Sequence, residues 1–206
     1  MNMRMMHYAV LFFSAILLTS CAIRPTEQPI RWAQPCDDCI GGVKNFGKVS
    51  KDLWRGAQPT EHGFQNLKEA GVKTVISLRA DHDDYDAISK LVDIISKPEE
   101  EPPQYIRIPM HAWKPDEAEL VLFMKVIDRV LKDPKRLPVF IHCQAGSDRS
   151  GYSIATYRIV NEGWPPHDAI QEMFDYGFHT YWSCNPKVLG NLDVTEFKKR
   201  MSLAPW

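Results

Sequence analysis

Residues 142–151 read His142, Cys143, Gln144, Ala145, Gly146, Ser147, Asp148, Arg149, Ser150, Gly151, between an apolar strand and a helix. A cysteine followed six positions later by an arginine, in a strand-to-helix loop containing glycine, is suited to holding a tetrahedral oxyanion. Successive main-chain N–H groups of such a loop converge on one point, and the positive end of the next helix faces that point. A thiol held there is favoured as the thiolate, the nucleophilic form, so Cys143 is the expected nucleophile. The planar fork of Arg149 is expected to grip two phosphate oxygens and hold the group in line with the sulfur, which the point charge of a lysine does not reproduce. Ser150 is expected to donate a hydrogen bond toward Cys143, helping the sulfur leave when a phosphocysteine is hydrolysed. Gln144, Ala145, Gly146, Ser147 and Asp148 complete the phosphate-binding loop, with His142 in support. A bare C-x5-R arises easily by chance; the surrounding His142, Gly146, Ser150 and Gly151, and the strand and helix around them, make this one specific.

The segment His142 to Gly151 resembles the signature loop of the protein tyrosine phosphatase superfamily. A wider stretch, from Leu53, Trp54, Arg55, Gly56, Ala57, Gln58, Pro59 through Trp113 to Phe178, resembles compact bacterial dual-specificity-like tyrosine phosphatases, exported ones among them, and covers most of residues 45–200. The resemblance implies a two-step hydrolysis of a phosphoprotein through phosphocysteine, needing no metal or other cofactor. It also implies a general acid on a mobile loop. Asp116, in Trp113, Lys114, Pro115, Asp116, resembles a variant of the family's Trp-Pro-Asp loop with one residue inserted. Position alone offers a plainer role, because a carboxylate in the first turn of a helix is favoured in any protein. Asp148 is the rival acid, or else orients the loop, and His111 is a third candidate of a type more often structural. Asp81, His82, Asp83 and Asp84 have the side chains of metal ligands, but the reaction needs no metal and their crowding reads as a solvated loop. Arg55 and Arg79 read as packing or ion-pair residues. The phosphate loop lacks the lysines that several phosphates of a phosphoinositide would call for. A phosphoprotein, phosphotyrosine first, is therefore the expected substrate, with a phosphoinositide phosphatase or a catalytically weak phosphate-binding module as alternatives. Arsenate-reducing relatives of the low-molecular-weight phosphatases carry their loop near the start of the domain, whereas roughly a hundred domain residues precede Cys143 here.

The elements that must position this loop alternate along the chain. Phe46 to Trp54 suggests an edge strand closed by the turn Gly56 to Pro59. Thr60 is a helix N-cap for Glu61 to Ala70, with Gly71 just past the end. Val72 to Leu78 reads as a buried strand, Tyr85 to Ile95 as helical and Tyr105 to Pro109 as the next strand. Pro115 opens an amphipathic helix with Leu120, Phe123, Met124, Ile127 and Leu131 on one face. Val139 to Ile141 is a short buried strand, Ser150 to Val160 and Pro166 to Tyr176 are helices closed by Gly163 and Gly177, and Val188 to Arg200 is a last helix. The fold class is α/β, a central mostly parallel sheet flanked by helices on both faces, phosphatase-like. In such sheets ligands bind beyond the carboxyl ends of strands, where the loop after Ile141 lies.

With 25 basic and 26 acidic residues mixed along 206 positions, net charge −1, the chain has no electrostatic footprint for nucleic acid. Arg4 and the apolar run Ala9 to Leu18 read as a signal peptide over residues 1–20, too short to span a bilayer. Leu18, Thr19, Ser20, Cys21 resembles a bacterial lipobox, which makes Cys21 the lipidated start of a mature protein anchored to a membrane in the periplasm; ordinary cleavage after Ala22 is the other reading. At about 0.8 kcal/mol per buried methylene, two acyl chains suffice for stable anchoring. Residues 21–40 read as a tether and 41–206 as the catalytic domain, a monomer. Cys36 and Cys39 lie in the tether without the strand-helix context of a redox motif, and read as a local disulfide or as idle thiols. Cys184 has no evident partner.

Overall fold

The strand that ends at the phosphate loop is the middle one of its sheet. The structure is a computed structural model and describes residues 32–91, 102–112, 116–182 and 184–204. The strands are β1 (Gly47–Lys48), β2 (Leu53–Gly56), β3 (Thr74–Arg79), β4 (Gln104–Met110) and β5 (Val139–His142), in the order β1-β2-β5-β3-β4. β1 pairs antiparallel with β2, and all other pairs are parallel. His142 therefore stands opposite Gly56 on one side and Ser77 on the other. The sheet is mixed and flanked by helices, as the alternation of elements requires.

Alternation along each strand feeds two cores, one per face. Leu53, Ile76, Leu78, Val139 and Ile141 point to one face, and Trp54, Val75 and Phe140 to the other. The second face is covered by α1 (Glu61–Glu69) and α2 (Tyr85–Ser89), through Phe64, Leu67 and Ile88. The first is covered by α3 (Glu117–Leu131), α4 (Asp148–Val160), α5 (Pro166–Asp175), α6 (Cys184–Gly190) and α7 (Val194–Leu203). In α3, Leu120, Phe123, Met124 and Ile127 are buried at the spacing that predicts them, each contributing roughly 1.5–3 kcal/mol by leaving water.

Several boundaries differ from the sequence reading, each for a local reason. Phe46 to Trp54 is a turn between two strands: Ser50 Oγ accepts from the N–H groups of Asp52 and Leu53 (3.2 and 3.1 Å), which reverses the chain. The edge is thus the two-residue β1, and β2 is internal and wholly buried. Thr60 does cap α1, accepting from Gly63 N at 3.0 Å, and Gly71 adopts φ +97°. The last helix is two, because Asp193 accepts from Glu196 N (3.0 Å) and starts α7 afresh. The helix expected over Tyr85 to Ile95 ends at Ser89, with Lys90 as its C-cap, and residues 92–101 lie outside the described residues.

Residues 32–40 belong with the domain rather than with a tether. Trp32 Nε1 donates to Asp175 Oδ2 (3.0 Å), Tyr176 donates its hydroxyl proton to Ala33 O (2.7 Å), and Cys36 exchanges main-chain bonds with Phe46. Cys36 and Cys39 are joined by a disulfide. The Pro-rich, aperiodic composition of this segment reports its lack of regular structure, which is not the same as lack of packing. Residues 1–31, Cys21 among them, lie outside the described residues.

Candidate active site

Cys143 follows β5 directly, is buried and carries a free thiol. The five residues after it turn the chain into α4, and their shape is imposed from outside. Gly146 adopts φ +71°, a region costly for any residue with a Cβ. A Cβ there would also lie 2.6 Å from Gly56 C and 2.7 Å from Ala57 N. Three consecutive carbonyls of the loop are tied outward: Gln144 O accepts from Gln58 N (3.0 Å), Ala145 O from Asn45 Nδ2 (3.0 Å), and Gly146 O from Arg55 Nη2 (2.9 Å). Because C=O and N–H of one peptide unit point in opposite directions, carbonyls held on the outer side leave the N–H groups of the same units free to face the other side.

None of those three anchors was assigned to the site by sequence. Asn45 sits at φ 51°, a left-handed conformation that asparagine tolerates, and its amide also donates to Tyr176 O at 3.0 Å. Its contact with Ala145 spans a hundred residues, so no local signal marks it. Arg55, read as a packing or ion-pair residue, is fully buried behind the loop. Its guanidinium lies 3.9 Å above the Tyr176 ring, and burial lowers its pKa. Nε and Nη1 of Arg55 find no partner among the described residues.

Below the cradle, His142 is buried between Phe140 and Phe64. Its Nε2 lies 3.4 Å from Asp84 Oδ2, within ion-pair range but off the line of a hydrogen bond. Loss of water around the ring pushes the pKa of His142 down, the Asp84 charge opposing but not reversing this. Asp84 corrects the reading of residues 81–84 as a solvated loop, because it is itself buried and accepts from Gln58 Nε2 at 2.6 Å. A short acidic run is solvated on average, yet one member can be drawn inward by a buried imidazole and an amide from elsewhere in the chain. Asp81 and Asp83 do remain exposed.

Arg149 opens the first turn of α4 and its Nη1 donates to Asp81 Oδ1 at 3.2 Å. Asp81 is held well below the usual carboxylate range, chiefly by hydrogen bonds from Arg79. Asp148 turns away from the cradle: its Oδ1 accepts from His179 N (3.0 Å) and its Oδ2 lies 2.9 Å from His179 Nδ1. Ser150 Oγ is buried with no hydrogen-bond partner among the described residues, Cys143 Sγ included. Asp116 is the N-cap of α3, accepting from Ala118 N (3.0 Å) in a reciprocal capping box with Glu119. The plainer reading of Asp116, a carboxylate at a helix start, is therefore realised. Trp113, Lys114 and Pro115 lie outside the described residues. His111 is exposed beside Glu119. Among the described residues no group of His, Cys, Asp and Glu is arranged to hold a metal ion.

A mostly parallel α/β domain with a buried thiol in an outward-tied loop and an arginine in the first turn of the following helix has the architecture of the cysteine-based phosphatases. The chain belongs to the family described as "DSP-PTPase phosphatase fused to NAD+ Kinase", whose model matches residues 42–180. It is similar to the dual specificity protein phosphatase TpbA of Pseudomonas aeruginosa, 31% identical over 147 residues, covering 71% of this chain and 59% of that protein. The match thus spans less than two thirds of the relative's length. The crystal structure of P. aeruginosa TpbA superposes with a TM-score of 0.64 at 28% identity, covering 86% of this chain and 99% of that one. A variant of TpbA has been solved in complex with pTyr, and matches with a TM-score of 0.63 at 27% identity over 87% of this chain and 100% of that one. The core catalytic domain of the PP-IP phosphatase SIW14 from S. cerevisiae shares the fold, with a TM-score of 0.60 at 18% identity, covering 78% of this chain and 92% of that one.

Proposed function

We propose that this chain hydrolyses phosphotyrosine in proteins through a phosphocysteine intermediate. Cys143 sulfur attacks phosphorus, and the bond from phosphorus to the phenolic oxygen breaks. Arg149 and the loop N–H groups of residues 144–148 hold the equatorial oxygens, where charge is stabilised without reorganisation. Asp116 gives the leaving oxygen its proton, then takes one from the water that attacks the phosphocysteine, and inorganic phosphate departs as Ser150 donates to the returning sulfur. The observation that carries the reading is the buried free thiol of Cys143 at the start of a loop whose carbonyls at Gln144, Ala145 and Gly146 are all tied outward. The pTyr complex of the similar TpbA supports an aryl phosphate as substrate. The test is release of phosphate from phosphotyrosine and phosphothreonine peptides by the full chain, with chelator present. Turnover of the phosphotyrosine peptide, lost in Cys143→Ser, is the expected result; binding without turnover would leave a phosphate-binding module.

The same proposal extends to where the enzyme works. The apolar run Ala9 to Leu18 followed by Leu18, Thr19, Ser20, Cys21 supports export from a bacterium and a lipid anchor on Cys21. Among the described residues no helix is long and apolar enough to cross a membrane. Incorporation of radiolabelled palmitate by the wild type and not by Cys21→Ala is the expected outcome, and equal labelling of both would refute the anchor.

A further inference from the structure

The disulfide between Cys36 and Cys39 lies outside the phosphate loop, yet a short path joins the two. Within the ring that it closes, Asp37 Oδ1 accepts from the main-chain N–H of Asn45 at 2.9 Å. The next residue, Phe46, exchanges main-chain bonds with Cys36 in both directions (2.9 Å each). The side chain of Asn45 then reaches across: its Nδ2 donates to Ala145 O and to Tyr176 O (3.0 Å each) and lies 3.4 Å from Ser147 Oγ. One amide thus holds the middle of the phosphate loop to the end of α5, and the backbone that carries this amide is held by the disulfide ring.

Asn45 does not hold this pose unaided. Its φ of 51° lies in the left-handed region, which is costly for a residue with a Cβ and persists where surrounding contacts over-determine it. Asp37 is exposed, and a hydrogen bond to an unrestrained exposed side chain is easily lost to water. The ring removes part of that freedom, so less ordering is needed to make the bond. Cys39 is exposed as well, which leaves the disulfide open to attack by a thiol in solution.

We infer that the disulfide of Cys36 and Cys39 is a redox-sensitive clamp on the phosphate loop, acting through Asp37 and Asn45, so that its reduction lowers activity while Cys143 remains a thiol. The inference rests on the reading of residues 142–150 as a phosphate site. In the opening step a thiolate of a dithiol attacks Cys39 Sγ, the bond to Cys36 Sγ breaks, and Cys36 takes up a proton. The second sulfur of the dithiol then displaces Cys39, so two electrons and two protons pass to the protein and the dithiol ends as a cyclic disulfide. The sign runs against ordinary thiol protection. Cys143 acts only in its reduced form, so by itself it would make a reductant favourable to activity; the clamp makes the same reductant release Asp37, Asn45 and the loop in turn.

The test is anaerobic turnover of a phosphotyrosine peptide by the full chain before and after dithiothreitol, with opening of the disulfide confirmed by mass after alkylation. Calorimetric titration with tungstate, a tetrahedral dianion that needs no turnover, is run alongside. A misplacement near 1 Å costs roughly a hundredfold in rate; since reduction leaves the main-chain pairing of Cys36 with Phe46 in place, the expected loss in kcat is about tenfold, with weaker tungstate binding. Cys36→Ser combined with Cys39→Ser is expected to show the same loss with or without dithiothreitol. Asp37→Ala, which keeps the disulfide, is expected to reproduce it, and adding Asp37→Ala to the cysteine pair should change kcat by less than about twofold. Asp37→Asn, whose amide oxygen can accept the same bond, is expected to stay within about threefold of the wild type. Unchanged turnover and tungstate binding in the reduced wild type would overturn the inference, as would a cysteine variant that loses only melting temperature, or an Asp37→Ala variant with wild-type kcat. Redox-dependent tungstate binding by a wild type that does not hydrolyse phosphotyrosine would sink the proposed activity and leave this inference standing; a wild type that binds no tungstate would remove both.

Discussion

Replacing Gly146 by alanine tests whether the phosphate loop is shaped by its contact with β2. Two costs can be separated, because the protein contains a second glycine at nearly the same φ. Gly163 has φ +69° and nothing among the described residues within 4 Å of the position a Cβ would take, so Gly163→Ala carries only the left-handed backbone cost of roughly 1–2 kcal/mol. Gly146 has φ +71°, and its Cβ would lie 2.6–2.8 Å from main-chain atoms of Gly56 and Ala57. Those atoms cannot retreat cheaply. Gly56 is held in register against His142, and Ala57 N donates to Lys44 O at 2.8 Å. Overpacking against such a wall adds roughly 1–3 kcal/mol, so Gly146→Ala is expected to lose about 2–5 kcal/mol in all. If the loop shifts to relieve the clash, the energetic loss falls toward the Gly163→Ala value, but the N–H groups leave their convergence point. A displacement near 1 Å then reduces turnover by roughly a hundredfold. Urea unfolding of both variants, with phosphotyrosine peptide turnover measured alongside, reads both quantities. The reasoning is refuted if Gly146→Ala is no less stable than Gly163→Ala and turns over within threefold of the wild type.

Asp116→Asn should lower kcat about a hundredfold, the scale of a general acid, while leaving the melting temperature nearly unchanged, because asparagine caps a helix as well as aspartate; a large loss of stability with little loss of kcat would mean that the cap is its whole role. Ser150→Ala removes a buried hydroxyl that has no partner among the described residues, and burying such a group unpaired costs about 1–3 kcal/mol. The variant is therefore expected to be at least as stable as the wild type, with turnover reduced roughly tenfold or more and phosphocysteine accumulating in quench-flow. Burial depresses the pKa of His142 in the folded state, so on acidification below about 6.5 the unfolded chain takes up a proton that the folded chain refuses. Stability should fall across that window, and the fall should be shallower in His142→Gln; parallel urea midpoints from pH 7 to pH 5 would count against a neutral buried imidazole.

The residues from His142 to Gly151 could be read as a phosphate-binding loop from sequence because their chemistry is local. A strand, a cysteine, a glycine and an arginine at this spacing mark a turn and a helix start by local signals, although the loop's exact shape is held from elsewhere in the chain. Periodicity likewise exposed the apolar face of α3, and turn residues marked Thr60 and Gly71. The same locality misled at Phe46 to Trp54, where a serine reverses the chain inside a pattern that alternates like one strand, and at residues 32–40, whose irregular composition conceals their contacts with Asp175 and Tyr176. Helix α4 offered no stripe to detect, because it is buried almost all round and carries Ser150, Ser153, Thr156 and Arg158 inside.

What only the tertiary structure decided is which distant side chains hold that loop in shape. Arg55 and Gly146 are 91 residues apart, Asn45 and Ala145 are 100 apart, and Asp81 and Arg149 are 68 apart. The first and last of these contacts exist because β2, β3 and β5 lie side by side, so that the ends of all three strands open onto one place, and Asn45 reaches it from the turn before β1. An arginine in a strand or an aspartate in an acidic run has the same local neighbours whether it faces solvent or a catalytic loop. Its role depends on strand order, and strand order is set by the burial of two cores on opposite faces of the sheet, a property of the whole chain.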